Sequence, residues 1–196
     1  IKAIKLQPNN PFTWASGWKS PIYCDNRKTL SFPAIRTLVR DAFVKTIKEK
    51  YPDVEVIAGV ATGAIAQGAL VADALGLPFV YVRSSAKDHG LGNLIEGDLK
   101  SNAKVVVIED LISTGGSSLK AVEALRAAEA QVLGMVAIFT YGFATAENAF
   151  AEKQVELTTL SNYNAMIDVA VETKYVSEND VETLKLWRQN PSEWGK

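Results

Sequence analysis

Residues 105–118, VVVIEDLISTGGSS, constrain this chain more than any other stretch. Four apolar residues, Val105 to Ile108, lead into Glu109 and Asp110, then into a turn of small residues that opens the helical pattern LKAVEALRAA. An apolar run bounded by turn residues suits an interior parallel strand. In open α/β sheets ligands bind beyond the carboxyl ends of the strands, so both acids are expected beside a ligand.

The turn itself, Ser113-Thr114-Gly115-Gly116-Ser117-Ser118, has the composition of an anion cradle. Glycine lets the backbone approach closely with its N–H groups turned inward, and the four hydroxyls add donors. The following helix brings its positive dipole end to the same point, favouring a phosphate by about 0.3–1 kcal/mol. Carboxylates beside a phosphate repel it unless they serve another part of the ligand. Ribose hydroxyls and developing positive charge are the candidates. A P-loop needs Gly-Lys-Ser/Thr at the helix start, whereas here the first lysine after the glycines is Lys120, and the G-x-G-x-x-G fingerprint is absent. Strand, paired acids, Thr-Gly-Gly-Ser and helix together resemble the phosphoribosyl-pyrophosphate (PRPP) signature of type I phosphoribosyltransferases. The plain alternative is an ordinary strand-to-helix connection built of small residues.

With 196 residues and 47% apolar content, the chain is expected to fold as one domain, 1–196, with a substantial core. Its net charge of −1 offers no footprint for nucleic acid or an anionic membrane, so an anion site must be local and a small ligand fits better. Cys24 is the only cysteine and His89 the only histidine, which excludes an intrachain disulfide and a cysteine-based zinc cluster. With no signal peptide and no apolar stretch of spanning length, a cytoplasmic location is expected. The chain opens at Ile1 rather than methionine, as expected if an N-terminal helix precedes it.

Residues 8–32 are aromatic, turn-rich and poorly helical, and 1–32 read as a small hairpin hood. Pro33 starts a helix running to about Lys50, with Ile35, Leu38, Val39, Ala42, Phe43, Thr46 and Ile47 at helical spacing and the lysines facing water. Strand and helix patterns then alternate, which predicts an α/β fold with a central parallel sheet of about five strands flanked by helices. The segments 163–172 and 177–189 read as helices packed at one edge.

Arg83-Ser84-Ser85-Ala86-Lys87-Asp88-His89-Gly90 follows the second core strand, and 83–98 is too long and too aperiodic for a mere connector. A loop of this kind reads as a flexible catalytic loop. An isolated Lys or Arg on a loop is more often solvent-facing, but Arg83 offers a fork, Lys87 a mobile point charge and His89 an acid, and all three suit a departing pyrophosphate. This R-x-x-x-K-x-H-G loop and the hood FTWASGWKSPIYCDNR resemble the orotate phosphoribosyltransferases, and the likeness covers nearly the whole chain. A third loop, 58–64, supplies small residues and Thr62 where that family binds pyrophosphate, although tight helix–sheet packing would also explain it.

The resemblance implies transfer of the 5-phosphoribosyl group from PRPP to N1 of orotate, with Mg²⁺ arriving mainly through PRPP and no metal ligand in the chain. Lys87, His89, Asp110 and Glu109 are expected to be catalytic. PRPP would lie along Leu111, Ile112, Ser113, Thr114, Gly115, Gly116 and Ser117, with its pyrophosphate on Thr62, Arg83, Lys87 and His89. A homodimer sharing its active sites across the interface is implied as well. Departures fall at the base site, where one branch of the family has a lysine at Ala15 and an arginine at Tyr141. Arg27 is therefore expected to meet the orotate carboxylate, with Lys19 also binding orotate and Ser113 donating to the ring; a local pair of Arg27 with Asp25 is the alternative. Cys24 reads as a small buried filler, and Trp14 and Trp18 as packing anchors.

Overall fold

The computed structural model describes residues 1–14, 16–85 and 94–195. Its first four strands are short: β1 (Ile4–Leu6), β2 (Phe12–Thr13), β3 (Lys19–Ser20) and β4 (Ile22–Cys24). β1 pairs antiparallel with β4 and β2 with β3, so the hood is two nested ladders closed by a 3₁₀ helix, Asn26–Ser31. Pro33 at the first helical position, where a missing N–H costs nothing, opens α1 (Pro33–Lys50).

The alternating region supplies β5 (Val56–Val60), α2 (Ile65–Leu75), β6 (Phe79–Val82), β7 (Ile95–Glu96), β8 (Lys104–Ile112), α3 (Gly116–Ala127), β9 (Gln131–Thr140), α4 (Ala144–Glu152) and β10 (Leu157–Asn162). These strands form one sheet in the order β10-β9-β8-β5-β6-β7. The five expected strands run parallel, and β7 adds a short antiparallel edge on β6, with Tyr81 opposite Glu96 and Val82 opposite Ile95. Two residues carry no readable period, so this sixth strand exists only because β6 offers it an edge.

The two-residue period of β8 divides the core. Val105 and Val107 pack with Leu119, Val122 and Leu125 of α3, while Val106 and Ile108 pack with Phe43 and Ile47 of α1 and Val71 of α2. β-branched residues buried on both faces are what an interior parallel strand requires. Gly134 in β9 lets the Tyr51 ring lie against the backbone, since a Cβ there would overlap Tyr51 Oη. Leu38, expected on the buried face of α1, is instead 69% exposed, because burial in that helix concentrates in its C-terminal half at Phe43 and Ile47.

A third cluster joins the hood to the C-terminal helices α5 (Tyr163–Glu172) and α6 (Glu178–Gln189). Asn162 Oδ1 accepts from Ala165 N–H at the start of α5, and Ser177 with Asp180 forms a capping box at the start of α6. Trp187 is fully buried at the centre, with rings of Trp14, Tyr141, Phe143 and Tyr163 at centroid distances of 5.4–5.7 Å. Its indole N–H donates to the Lys19 carbonyl at 3.2 Å, tying α6 to β3. Among the described residues no helix is long and apolar enough to cross a membrane.

Replacing Trp187 with alanine removes this keystone and leaves a cavity under the hood. The variant is expected to lose about 3–5 kcal/mol of stability, the usual range for a buried large aromatic. Urea denaturation followed by circular dichroism measures it; a loss under 1 kcal/mol would refute the assignment.

Candidate active site

Glu109 and Asp110 are neighbours on β8 and therefore leave the strand on opposite faces. Glu109 turns beneath the start of α3 and is only 4% exposed. Its carboxyl accepts from Ser118 Oγ at 2.8 Å and from the Asp110 N–H at 2.9 Å. Burial, reinforced by the negative charge of Asp110 and by a hydrogen bond between the two carboxyl groups, pushes the Glu109 carboxyl up to about 8.

Asp110 turns the other way, toward the β5–α2 loop, where its carboxylate lies directly against the Cα of Gly63. The Ala61–Thr62 peptide of that loop is cis. The Asp110 carbonyl accepts from Asn26 Nδ2 at 2.6 Å, which fastens the 3₁₀ helix of the hood to the strand tip. Sequence reasoning missed Asn26, although its place in the CDNR segment, next to the hood residues already suspected, was the available signal.

A cavity of about 300 Å³ opens between these elements, lined by Cys24, Asp25, Arg27, Thr62, Gly63, Glu109, Asp110, Leu111 and Ser117 among others. At its end the Ser113–Ser118 turn enters α3. Gly115 holds φ at +82°, with the Phe150 ring packed where a Cβ would stand, so this position admits glycine alone. Gly116 faces open space, Thr114 and Ser117 are exposed, and the first turn of α3 has backbone N–H groups with no intrahelical acceptor. These are the parts of an anion cradle.

A second cavity, of about 270 Å³, is lined by Thr13, Trp14, Tyr23, Cys24, Leu111, Ser113 and Tyr141 and adjoins the first through Cys24 and Leu111. Its walls are aromatic: the Trp14 and Tyr141 rings lie 5.2 Å apart, and Trp14 Nε1 donates to the Ile22 carbonyl at 3.2 Å. Tyr141 is only 2% exposed, and burial raises its hydroxyl above the ordinary phenol range, so the group remains a proton donor. Burial also pushes the Cys24 thiol up to about 12, which keeps it protonated and inert, although the side chain is half-buried and lines both cavities instead of filling the core.

The sequence-predicted residues separate accordingly. Ser113 lines the aromatic cavity, whereas Thr62, Glu109, Asp110 and Ser117 line the acidic one, and Leu111 lines both. Arg27 pairs with Asp25 (Nε to Oδ1, 2.8 Å), the local pair named as the alternative, and lines the acidic cavity. Lys19 places Nζ 2.9 Å from Thr13 Oγ1. Ile112 points into the core with its carbonyl accepting from Tyr141 N–H, so it supports the turn and lines neither cavity. Arg83 pairs with Glu96 at 3.4 Å and lines a neighbouring cavity along α3 that shares Val60, Ala61 and Ser117 with the acidic one. Lys87 and His89 lie outside the described residues.

An acid-tipped central strand, a glycine turn opening a helix and a hood over the sheet's carboxyl end define a phosphoribosyltransferase, and the phosphoribosyl transferase domain family matches residues 28–174. The chain is 66% identical to the orotate phosphoribosyltransferase of Porphyromonas gingivalis over 195 residues, covering 100% of this chain and 93% of the relative. It is 64% identical to that of Bacteroides fragilis, covering 99% and 92%. The orotate phosphoribosyltransferase structure from Aeropyrum pernix superposes with a TM-score of 0.77 at 26% identity, covering 89% of this chain and 94% of that one. The chain belongs to the orotate phosphoribosyltransferase family.

Two predictions follow from the strand tip. Gly63→Ala puts a methyl group into the Asp110 carboxylate and should lower turnover at least about tenfold through a displacement of an ångström or so, with its unfolding midpoint close to wild type; unchanged turnover would show that Asp110 need not be held there. The second concerns Glu109, whose folded carboxyl binds its proton more tightly than the unfolded one, so its ionisation opposes folding. That cost is absent below about pH 4.5 and complete above about pH 8. Glu109→Gln should therefore gain stability relative to wild type as pH rises across that window, measured by urea unfolding at pH 5 and pH 9; a constant difference would refute the buried, proton-holding carboxyl.

Proposed function

We propose that this protein transfers the 5-phosphoribosyl group from PRPP to N1 of orotate, yielding orotidine 5′-monophosphate and pyrophosphate. The observation that carries the reading is the pair of adjoining cavities: one acidic, with an anion cradle, and one aromatic and neutral, meeting at Cys24 and Leu111. A sugar phosphate suits the first and a planar base suits the second.

The 5′-phosphate sits in the Thr114–Ser117 turn, on backbone N–H groups at the positive end of α3. Asp110 holds the ribose hydroxyls and offsets positive charge as the C1–O bond to pyrophosphate lengthens and N1 of the base closes on C1. Pyrophosphate departs with the bonding electron pair toward Thr62, Arg83, Lys87 and His89. Glu109, largely protonated near neutrality, holds the strand tip to α3 through Ser118. Mg²⁺ would arrive mainly on PRPP, with the Asp110 carboxylate as a hard oxygen donor able to face it, and would supply charge neutralisation for the leaving group. Ser113 donates to the pyrimidine ring. The active unit is a homodimer in which the 83–98 loop serves the neighbouring site, and its setting is the cytoplasm.

The direct test is pyrophosphate release from PRPP and Mg²⁺ with orotate, run beside adenine, hypoxanthine and uracil. Release is expected with orotate and should vanish when EDTA removes the metal. Asp110→Asn should lower kcat/KM by about 10²–10³-fold, the usual cost of losing one preorganised electrostatic group. Release with a purine alone would overturn the base assignment.

A further inference from the structure

Orotate differs from uracil by a carboxylate, and the aromatic cavity contains no cation to receive it: Thr13, Trp14, Tyr23, Cys24, Leu111, Ser113 and Tyr141 are all neutral. The cations around it can be taken in turn. Arg27 is paired with Asp25 and belongs to the acidic cavity. Lys28 Nζ donates to the carbonyl of Ile1 at 3.1 Å and does not line the cavity. Arg188 donates to the Gly142 carbonyl at 3.3 Å, behind the turn that follows Tyr141, and does not line the cavity.

Lys19 remains. Its Nζ donates to Thr13 Oγ1 at 2.9 Å, and Thr13 is itself part of the cavity wall. Lys19 has no carboxylate partner among the described residues, so its charge is available. Its backbone is fixed by the Trp187 indole N–H on its carbonyl, and its stem lies against Gly195. A long, flexible side chain is thus anchored at its root and aimed at its tip, which reduces the entropy lost when it binds.

We propose that Lys19, aimed by Thr13, is the specificity-determining cation that reads the carboxylate of the base at the mouth of the aromatic cavity. The proposal rests on the orotate reading given above. It moves this role from Arg27 to a residue whose position relative to the cavity favours it, and it makes Thr13 a positioning residue. A rim location is physically sensible, because a carboxylate kept at the mouth retains part of its hydration while the ring is enclosed.

The test uses the full chain with PRPP and Mg²⁺ and compares wild type, Lys19→Met, Lys19→Arg, Thr13→Val, Thr13→Ser and Arg27→Met. Lys19→Met should raise KM for orotate about 10- to 100-fold, the effect of losing one charge-assisted hydrogen bond. Its kcat should fall much less, and the KM for PRPP should stay within about twofold of wild type. The inhibition constant of uracil, which lacks the carboxylate, should move less than about threefold. Lys19→Arg should recover most of the loss; Thr13→Val should raise the orotate KM by a smaller factor that Thr13→Ser restores. Circular dichroism melting of each variant guards against misfolding.

An unchanged orotate KM in Lys19→Met, or a rise shared equally by uracil, overturns the proposal. A large rise in Arg27→Met with none in Lys19→Met returns the role to Arg27. Failure of wild type to use orotate at all sinks the underlying functional reading instead, and that outcome is visible before any variant is compared.

Discussion

The site depends on the alternation of side chains at the end of β8. One residue sends its carboxyl under α3, and the next sends its carboxylate across to the β5–α2 loop. Both acids line the same cavity, where two ionised carboxylates would oppose a phosphorylated ligand with both charges. Burial of Glu109, together with the neighbouring Asp110 carboxylate, favours its protonated form and so lowers the negative charge that the pair presents to the cavity both line. The buried carboxyl also works mechanically: its two oxygens join the strand tip to Ser118 of the following helix, so the anion cradle and Asp110 are fixed relative to each other.

The hood is the second element of this arrangement and is held at two separate points. Asn26 clamps its 3₁₀ helix to the Asp110 carbonyl, and Trp187 clamps β3 from the other end of the sequence. Trp187 also packs against Trp14 and Tyr141, so α6 backs two walls of the aromatic cavity. Short ladders of two or three pairs have little stability of their own, and here the aromatic cluster of Trp14, Tyr141, Phe143, Tyr163 and Trp187 supplies what they lack.

Features written in local sequence were legible: the all-apolar run of β8, the glycine turn, proline at the start of α1, and the boundaries of α5 and α6. Those that depend on which way a side chain finally points were harder. Ile112 sits within the signature, and its side chain packs with Val105 and Val107 on the α3 side, out of step with the alternation that sends Ile108 and Asp110 to the other face. Arg27 pairs with Asp25 two residues earlier, a local contact that the sequence offered beside a role at the base. The two residues of β7 show no period and exist as a strand only through β6. Tyr141 could be read from sequence only as a departure from a pattern; its place as a cavity wall follows from β9 ending beside the hood.

The boundary between the two cavities sets the last condition on chemistry. In the proposed reaction N1 of the base and C1 of the sugar must approach to about 3–3.5 Å before the bond forms, so whatever separates the two pockets has to be thin. Cys24 and Leu111 are the side chains common to both. A thiolate at that point would compete with the base for an electrophilic sugar carbon. The burial that pushes the Cys24 thiol up to about 12 removes that competitor while keeping the side chain small. A bulky residue there would part the reactants, and an ionisable one would intercept them; a protonated cysteine avoids both.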